Sequence, residues 1–304
     1  LLAGQPTPPG DASWVVAAWR DALGRDPDAG VLTEALSNLR FQLGQADRFR
    51  AGLERSGAWR EHIAAVLAAA QLPPELIALP HVESSFDPTA YSKVGAAGIW
   101  QFMPGTARLY MRVDGAVDER MDPFRATEAA AQLLANNFRL LGSWPLTLTA
   151  YNHGAAGMRR ARDAMGTDDF AVIARGYRGR AFGFASRNFY PSFLAALTID
   201  QDPARFFPGV QRAAALRPVE IALPTAVAAA ELGRLLDLPQ PTLRELNPAL
   251  RPAVWSGARP VPAGYRLRLP TGSPWTPERL AAVLRVTPPA VGGAGSTATD
   301  TAAP

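Results

Sequence analysis

The spacing of apolar positions predicts a chain built mainly of helices. Early in the sequence, apolar residues recur every three or four positions in three runs, which is the period of an amphipathic helix. One run starts near Ser13, the second covers about 31–43 and the third about 48–70. We interpret these stripes as packing faces and assign residues 11–72 to an N-terminal helical region. The Pro- and Gly-rich residues 1–10 are predicted to be flexible, as in a mature or trimmed N-terminus.

A further helix is predicted to run from the two prolines at 73–74 to about Glu83. Proline is favoured in the first turn of a helix because its missing N–H has no partner to lose there. Leu76, Leu79 and Glu83 recur at helical spacing, so the acid continues the face that the leucines bury. Pro80 is expected to bend or loosen the helix near its end. Glu83 is therefore predicted at a helix terminus, half in the core and half facing outward.

Helical patterns continue to residue 208, which makes 73–208 the candidate main domain. Asp122 followed by Pro123 is a typical helix start, and Gly142 is a typical helix end. Residues 114–121 and the Gly- and Arg-rich stretch after residue 175 are predicted to be loops. The other helices of this part are predicted at 104–111, from Pro145 to about Gly154, at 155–165 and at 186–200.

The last third of the sequence changes to shorter segments. The pattern predicts a strand, a helix, a second short helix with Leu243 and Leu246, and a closing strand at Tyr265–Leu269. Residues 209–272 are therefore predicted to form a small α/β module. Residues 273–304, which become rich in Gly, Ala, Thr and Pro, are predicted to be mostly disordered.

Composition and charge narrow the possible functions. The 304 residues are 48% hydrophobic, but no stretch approaches the roughly 18 uninterrupted apolar residues of a membrane span. The net charge of +4 and the pI of 9.8 come from arginine, because Lys93 is the only lysine. These arginines form no long basic run, so a nucleic-acid partner is not predicted.

The sequence does not support metal or thiol chemistry. The chain has no cysteine, which excludes disulfides and thiolate chemistry. Its three histidines, His62, His81 and His153, lack a close metal-ligand spacing such as HExxH. We predict neither a metal nor an organic cofactor.

Glu83 is the candidate catalytic group. Between His81 and Met103 the only other formal charges are Asp87 and Lys93, in a stretch of small, aromatic and apolar residues. Apolar surroundings disfavour the charged form of a carboxyl group, which raises its pKa and lets it act as a general acid. The alternative is an ordinary acid at a helix end or in a loop, exposed to water.

A possible sugar-binding wall follows Glu83 in the sequence. Gly95 and Gly98 favour a turn or a close backbone approach. The next residues, 100–103, place the amide of Gln101 among large flat or soft side chains. Sugars bind to such surfaces through their C–H faces, while an amide can bond to hydroxyl or N-acetyl groups. Ordinary core packing is the alternative for this cluster.

Several segments, in the same order and spacing, resemble one enzyme family. These segments are ESSFDPTAYSKVGAAGIWQFMPGTA, DERMDPFRATEAAAQLL, LTLTAYNHG and NFYPSFLAAL. They resemble the soluble lytic transglycosylases of glycoside hydrolase family 23, and most of all the membrane-bound lytic murein transglycosylase D branch with its GIWQFMP signature. The resemblance extends from about Gln45 to Leu269. It implies a goose-lysozyme-like catalytic domain within the mainly α fold.

The resemblance also implies roles for individual residues. Glu83 would be the sole catalytic acid and base, with Ser84 as its orienting neighbour. Tyr151 and Asn152 would flank the acid and hold the N-acetylated sugar. His153 departs from the small residue usual after Ala-Tyr-Asn, and we expect it to alter the rim of the cleft without ending activity. The predicted substrate-binding set comprises Ser84, Gln101, Phe102, Met103, Tyr151, Asn152 and Tyr190.

The implied reaction cleaves the β-1,4 bond between N-acetylmuramic acid and N-acetylglucosamine and forms a 1,6-anhydro product. The implied partner is the glycan strand of peptidoglycan, and the implied location is the periplasm or cell envelope of a bacterium, with peripheral association possible. Two alternatives stay open, namely a hydrolytic lysozyme-like enzyme and a non-catalytic glycan-binding or scaffold protein. The C-terminal module resembles a degenerate LysM module that lacks the Gly-Asp-Thr-Leu opening, so both glycan binding and a structural cap are open roles.

Overall fold

The computed structural model describes residues 45–284, and most of its regular elements are helices. The two helices predicted before residue 44, the flexible segment 1–10 and the end of the predicted tail lie outside the described residues. Within residues 45–284, no helix has both the length and the apolar character that a membrane crossing would need.

The first described elements confirm a predicted long helix and correct the position of a proline. Helix α1 spans Gln45–Ala69 and buries Leu53, Ile63 and Leu67 on one side. A 3₁₀ helix at Pro74–Ala78 is followed by helix α2 at Leu79–Glu83. Pro80 lies in the first turn of α2 and not at a loosened end, because the change of helix type occurs before it.

The central elements agree with most of the predicted helices. Asp122 caps helix α4 (Pro123–Leu141) by accepting from the N–H groups of Phe124 and Arg125, and Gly142 ends it in a left-handed conformation. The predicted helix at 104–111 is shorter, and three elements were not predicted, namely a 3₁₀ helix at Glu119–Met121 and the helices at Phe170–Gly176 and Pro203–Phe206. The helices of this part are α3 (Pro104–Ala107), α5 (Trp144–His153), α6 (Ala155–Met165), α7 (Phe170–Gly176), α8 (Phe184–Gln201) and α9 (Pro203–Phe206).

The C-terminal part has the predicted order of strand, two helices and strand. Strand β1 (Val219–Ala222) pairs antiparallel with β2 (Arg266–Leu269), so that Val219 lies opposite Leu269. Between them lie helices α10 (Ala229–Leu236), α11 (Gln240–Leu246) and the unpredicted α12 (Pro252–Trp255).

The predicted disordered tail needs a correction at its beginning. Helix α13 spans Pro277–Val283, and Thr276 caps it by accepting a hydrogen bond from the N–H of Arg279. Leu280 and Ala281 are fully buried, and Leu280 packs into the apolar core of the C-terminal module. The apolar residues of this short helix therefore extend the module beyond residue 272.

The core that supports the candidate site joins elements from distant parts of the sequence. It contains buried residues of α1, α2, α4, α5 and α8, together with Phe86, Ile99, Trp100 and Phe102 from the segment between α2 and α3. A second core fills the C-terminal module, and it includes Ala116 and Val117 from the loop before α4. This loop therefore belongs structurally to both parts.

Backbone hydrogen bonds and buried ion pairs fasten the module to that loop. The N–H of Asp118 donates to the carbonyl of Ala249 at 2.8 Å, and the N–H of Arg251 donates to the carbonyl of Ala116 at 2.9 Å. The guanidinium of Arg251 lies 3.0 Å from the carboxylate of Asp118. Asp122 forms a second ion pair with Arg268 of β2, and both side chains are buried.

We predict that Gly57→Ala destabilises the protein. A Cβ atom at this position of α1 would lie 2.0 Å from the carbonyl oxygen of Ala213, whose N–H donates to the carbonyl of Glu54. Overpacking of this kind costs about 1–3 kcal/mol of unfolding free energy. Gly105→Ala is the control, because a Cβ at this exposed position in α3 meets nothing within 4 Å. Urea unfolding followed by circular dichroism should show the loss for the first variant alone; equal stabilities would contradict the packing argument.

Candidate active site

Glu83 is the last residue of α2, where the helix emerges from the core. Its side chain is only partly exposed. Among the described residues, no hydrogen bond or ion pair engages its carboxyl group, and burial raises its pKa to about 8. The shift has the direction that the sequence predicted. A carboxyl group with this pKa holds its proton near neutral pH and can donate it to a bound molecule.

Ser84 follows the acid but faces the protein interior. Its hydroxyl donates to the carbonyl oxygen of Ile99 at 2.9 Å, and only 1% of the residue is exposed. This contact links the end of α2 to the segment before α3. The role of Ser84 in substrate binding stays a prediction.

The segment between α2 and α3 is a tight, irregular loop. Gly98 has a φ of +75°, and a Cβ atom there would lie 1.8 Å from the carbonyl oxygen of Arg120. Gln101 also has a positive φ, +48°. Its Nε2 donates to the carbonyl oxygens of Gly98 at 2.8 Å and Ala90 at 3.3 Å. The amide nitrogen thus holds the loop, whereas no described donor reaches the Oε1 atom.

A buried arginine that the sequence reasoning missed supports this loop. Arg120 donates to the carbonyl oxygens of Gly95 at 2.6 Å and Phe102 at 3.0 Å, and its other nitrogens bind the carboxylate of Asp118 at 2.8 Å. Arg120 is only 1% exposed. The segment DERMDPF places this arginine among three acidic residues, and opposite charges so close together were the signal that could have indicated an internal ion pair.

The two neighbours of the loop glutamine differ in exposure. Phe102 is 3% exposed, and its ring meets that of Tyr151 edge-on at a centroid distance of 6.1 Å. Phe102 belongs to the core, and its contact with a substrate stays a prediction. Met103 is 43% exposed and is accessible to a ligand.

Tyr151 lies near the acid. The hydroxyl of this α5 residue donates to the carbonyl oxygen of Trp100 at 2.9 Å, and the indole N–H of Trp100 donates to Thr127 at 2.8 Å. Burial and the negative charge of Glu83 raise the pKa of Tyr151 well above its ordinary value. Tyr151 and Glu83 are therefore within electrostatic reach, and Asn152, next along α5, is exposed.

The remaining residues singled out by the sequence border this region. Tyr190 lies on α8, which packs against α2; it is partly buried and meets Phe170 edge-on at 5.4 Å. Burial raises its pKa, and its contact with Glu83 stays a prediction. His153 places Nδ1 3.0 Å from the hydroxyl of Ser186, so it links α5 to the start of α8.

The residues that the structure describes contain no cluster of metal ligands. Within residues 45–284, no cluster of three or more His, Asp or Glu side chains could hold a metal ion.

Comparison with known proteins finds a family model that matches part of the chain. Residues 62–173 match the family described as Transglycosylase SLT domain. This region contains Glu83, Gln101, Tyr151 and Asn152, whereas Tyr190 lies beyond it.

Individual proteins that are similar to this chain also carry the name transglycosylase. The membrane-bound lytic murein transglycosylase D of Escherichia coli K12 is 31% identical over 178 residues, which cover 55% of this chain and 37% of that protein. The peptidoglycan transglycosylase gp16 of phage T7 is 39% identical over 99 residues, covering 30% of this chain and 7% of that protein. The chain thus spans a little over a third of the length of the first relative.

Solved structures give weaker likenesses. The lytic transglycosylase Slt of Pseudomonas aeruginosa, an inactive mutant, has a TM-score of 0.40 at 21% identity, covering 48% of this chain and 24% of that one. The 70 kDa soluble lytic transglycosylase of E. coli has a TM-score of 0.38 at 21% identity, covering 50% of this chain and 25% of that one. These scores are too low to establish a shared fold.

We predict that Glu83→Gln stabilises the protein in a pH-dependent way. Because folding raises the pKa of Glu83 from 4.5 to about 8, the folded state binds more protons than the unfolded state between these pH values. Wild-type stability is therefore lost as the pH rises through this range. The glutamine variant avoids this loss, so its advantage should be near zero at pH 5 and about 1–3 kcal/mol at pH 9.

Urea unfolding at both pH values measures this difference. Glu75→Gln is the control, because Glu75 is an exposed acid in the preceding 3₁₀ helix. It should change stability equally at pH 5 and pH 9. An equal effect of pH on both variants would show that Glu83 is not held in its protonated form.

Proposed function

We propose that this chain is a peptidoglycan lytic transglycosylase. The proposed reaction cleaves the β-1,4 bond between N-acetylmuramic acid and N-acetylglucosamine and leaves a 1,6-anhydro-N-acetylmuramic acid end. The observation that carries the proposal is Glu83, an unpartnered and partly buried acid with a pKa of about 8 inside the stretch that matches the SLT domain. The names of the relatives that match this stretch favour the same activity.

The proposed mechanism uses one carboxyl group twice. Protonated Glu83 donates to the oxygen of the glycosidic bond as that bond breaks, while the acetamido group of the substrate stabilises the cation. The carboxylate that results then takes the proton from the C6 hydroxyl of the same sugar, and the oxygen closes the 1,6-anhydro ring. The proton returns to Glu83, and no water is consumed. A pKa near the working pH suits a group that must serve first as acid and then as base.

Other carboxylates nearby in the sequence are already engaged, which supports a mechanism with a single acid. A typical glycosidase needs a second carboxyl group as base or nucleophile. Here Asp87 accepts hydrogen bonds from Thr89 at 2.7 and 2.9 Å. Asp118 and Asp122 are buried in ion pairs with arginines. The carboxylates of Asp118 and Asp122 are thus committed to arginines, and Oδ1 of Asp87 is committed to the turn at Thr89.

The substrate contacts follow from the exposed groups around the acid. We propose that the Oε1 atom of Gln101 accepts from a sugar hydroxyl or an N-acetyl N–H, since its Nε2 is used within the loop. Met103 and Asn152 offer an apolar surface and an exposed amide. Tyr151 orients the site through its bond to Trp100, and Tyr190 is proposed to border the acid from α8.

The C-terminal module is proposed to be a degenerate LysM-like cap. Its order of strand, helices and strand and the antiparallel pairing of β1 with β2 support the likeness. Its ion pairs with Asp118 and Asp122 favour a structural role over an independent glycan-binding one. We propose a location in the periplasm or cell envelope, where peptidoglycan is found, with the glycan strand as partner.

The first functional prediction concerns the product. Purified peptidoglycan incubated with the wild-type chain should release muropeptides lighter by one water than hydrolysis products, as measured by mass spectrometry. Glu83→Gln should release none, because the amide keeps the shape of the side chain but cannot cycle a proton. Hydrated products would identify a lysozyme, and unchanged glycan with retained binding would identify a glycan-binding or scaffold protein. A control muramidase must cut the same substrate.

The second functional prediction ranks Tyr151 below Glu83. Tyr151→Phe removes the hydroxyl that donates to Trp100 but leaves the acid in place, so kcat should fall by about 10-fold. Tyr110→Phe is the matched control, because it removes a tyrosine hydroxyl that accepts from Asn136 at 3.1 Å elsewhere in the core. Turnover by Tyr110→Phe should stay near the wild-type rate. A loss for Tyr151→Phe as complete as that for Glu83→Gln would contradict this ranking.

A further inference from the structure

The turn directly after Glu83 has an unusual backbone. Ser85 and Phe86 are consecutive residues with a φ of +54° each. L-residues other than Gly, Asn and Asp rarely adopt this left-handed region, and a bulky aromatic residue there is an outlier. Such conformations persist only where the surrounding structure holds them in place.

A side chain from α1 binds this turn. Arg55 donates from Nη2 to the carbonyl oxygen of Ser85 at 2.6 Å and from Nε to the carbonyl oxygen of Phe86 at 3.2 Å. The planar guanidinium group can hold two carbonyl groups at once, which a lysine cannot do with the same geometry. Both residues with positive φ are therefore tied to the same side chain.

A glycine lets α1 approach the turn closely. A Cβ atom at Gly52, three residues before Arg55, would lie 2.9 Å from the carbonyl oxygen of Ser85. A glycine inside a helix lowers helix stability relative to alanine. Its presence here fits a requirement for contact between helix and turn.

Movement of the turn would move the acid. The N–H groups of Ser84 and Phe86 both donate to the carbonyl oxygen of Pro80, at 3.0 and 3.2 Å, and the N–H of Ser85 donates to that of His81 at 3.2 Å. These bonds fold the turn back onto the last turn of α2, which ends at Glu83. The backbone position of the acid is thus coupled to the carbonyl groups that Arg55 holds.

We propose that Arg55 is a positioning residue for Glu83 and that it acts by clamping the left-handed turn at Ser85 and Phe86. This inference rests on the proposed function of Glu83. Arg55 and Gly52 precede the SLT match, which begins at residue 62. The part of α1 that precedes the matched region therefore contributes to the geometry of the site.

The kinetic test compares substitutions on the same helix. Arg55→Ala should lower kcat by about 10- to 100-fold with KM changed by less than about threefold, because a displaced acid affects proton transfer more than binding. Arg55→Lys should restore part of the rate by binding one carbonyl group. Arg50→Ala, which removes an exposed arginine paired with Glu54 on α1, should keep the wild-type kcat.

Gly52→Ala provides a second variant that leaves Arg55 in place. Alanine strengthens a helix, but its Cβ would press on the carbonyl of Ser85, so kcat should fall while helix content is kept. Thermal unfolding of each variant gives the folded fraction under assay conditions. Losses of kcat that match the loss of folded protein, or a rate for Arg55→Ala within twofold of the wild type, would overturn the proposal.

A measurement without substrate separates this inference from the proposed function. Carbon-13 NMR titration of Glu83 in the wild type and in Arg55→Lys reports its environment directly, and the lysine keeps the positive charge. The pKa should fall from about 8 toward 4.5 as the freed carboxyl group gains water. The other titratable groups on the helices around it are Tyr151 and His153 on α5, Arg187, Tyr190 and Asp200 on α8, and His81 on α2 itself, and all are unchanged in the variant.

The two tests have separate outcomes. An unchanged pKa of Glu83 in Arg55→Lys and Arg55→Ala would overturn the positioning role. A shifted pKa in a wild-type chain that releases no anhydro products would support the positioning of Glu83 while the proposed transglycosylase activity fails. Anhydro products from a chain whose kcat does not depend on Arg55 would support the activity alone.

Discussion

An unpaired carboxyl group in a partly buried position constrains everything around it. Such a group avoids the cost of a buried charge by keeping its proton, so its surroundings must supply little water and no cation. Glu83 meets these conditions at the end of α2, with Tyr151 nearby and no described ion pair. The loop between α2 and α3, the turn at Ser85 and Phe86 and the surrounding helices hold Glu83 in this position.

Other buried acids differ from Glu83 because arginines form ion pairs with them. Asp118 is paired with Arg120 and Arg251, and Asp122 with Arg268. Burial alone would raise the pKa of Asp200, but its hydrogen bond with His81 and the charges of Arg60 and Arg212 bring it below the ordinary value. These five arginines thus pair with internal carboxylates, so their number alone does not indicate a surface for nucleic acid.

Local sequence patterns predicted much of the fold and the position of Glu83 at a helix end. They failed where the conformation depends on contacts between residues that are distant in the sequence. The start of α4 at Asp122 and Pro123 follows from capping, which acts within one turn. The burial of Ser84 and Phe102, in contrast to the exposure of Met103, was not predictable, because adjacent residues in an irregular loop can face opposite sides. The contact of Arg55 with the turn spans about 30 positions of sequence, and no local period could reveal it.

The segment that carries the candidate chemistry is short and irregular, so its rigidity must come from outside. On one side, α1 holds the turn after Glu83 through Arg55. On the other, Arg251 of the C-terminal module shares the carboxylate of Asp118 with Arg120, and Arg120 holds the carbonyl of Phe102 in the loop beside Gln101. Both supports lie beyond residues 62–173, the part that matches the SLT domain. A fragment limited to that part would keep Arg120 and its bonds to the loop, but it would lose Arg55, which holds the turn after the acid, and Arg251, which supports Asp118.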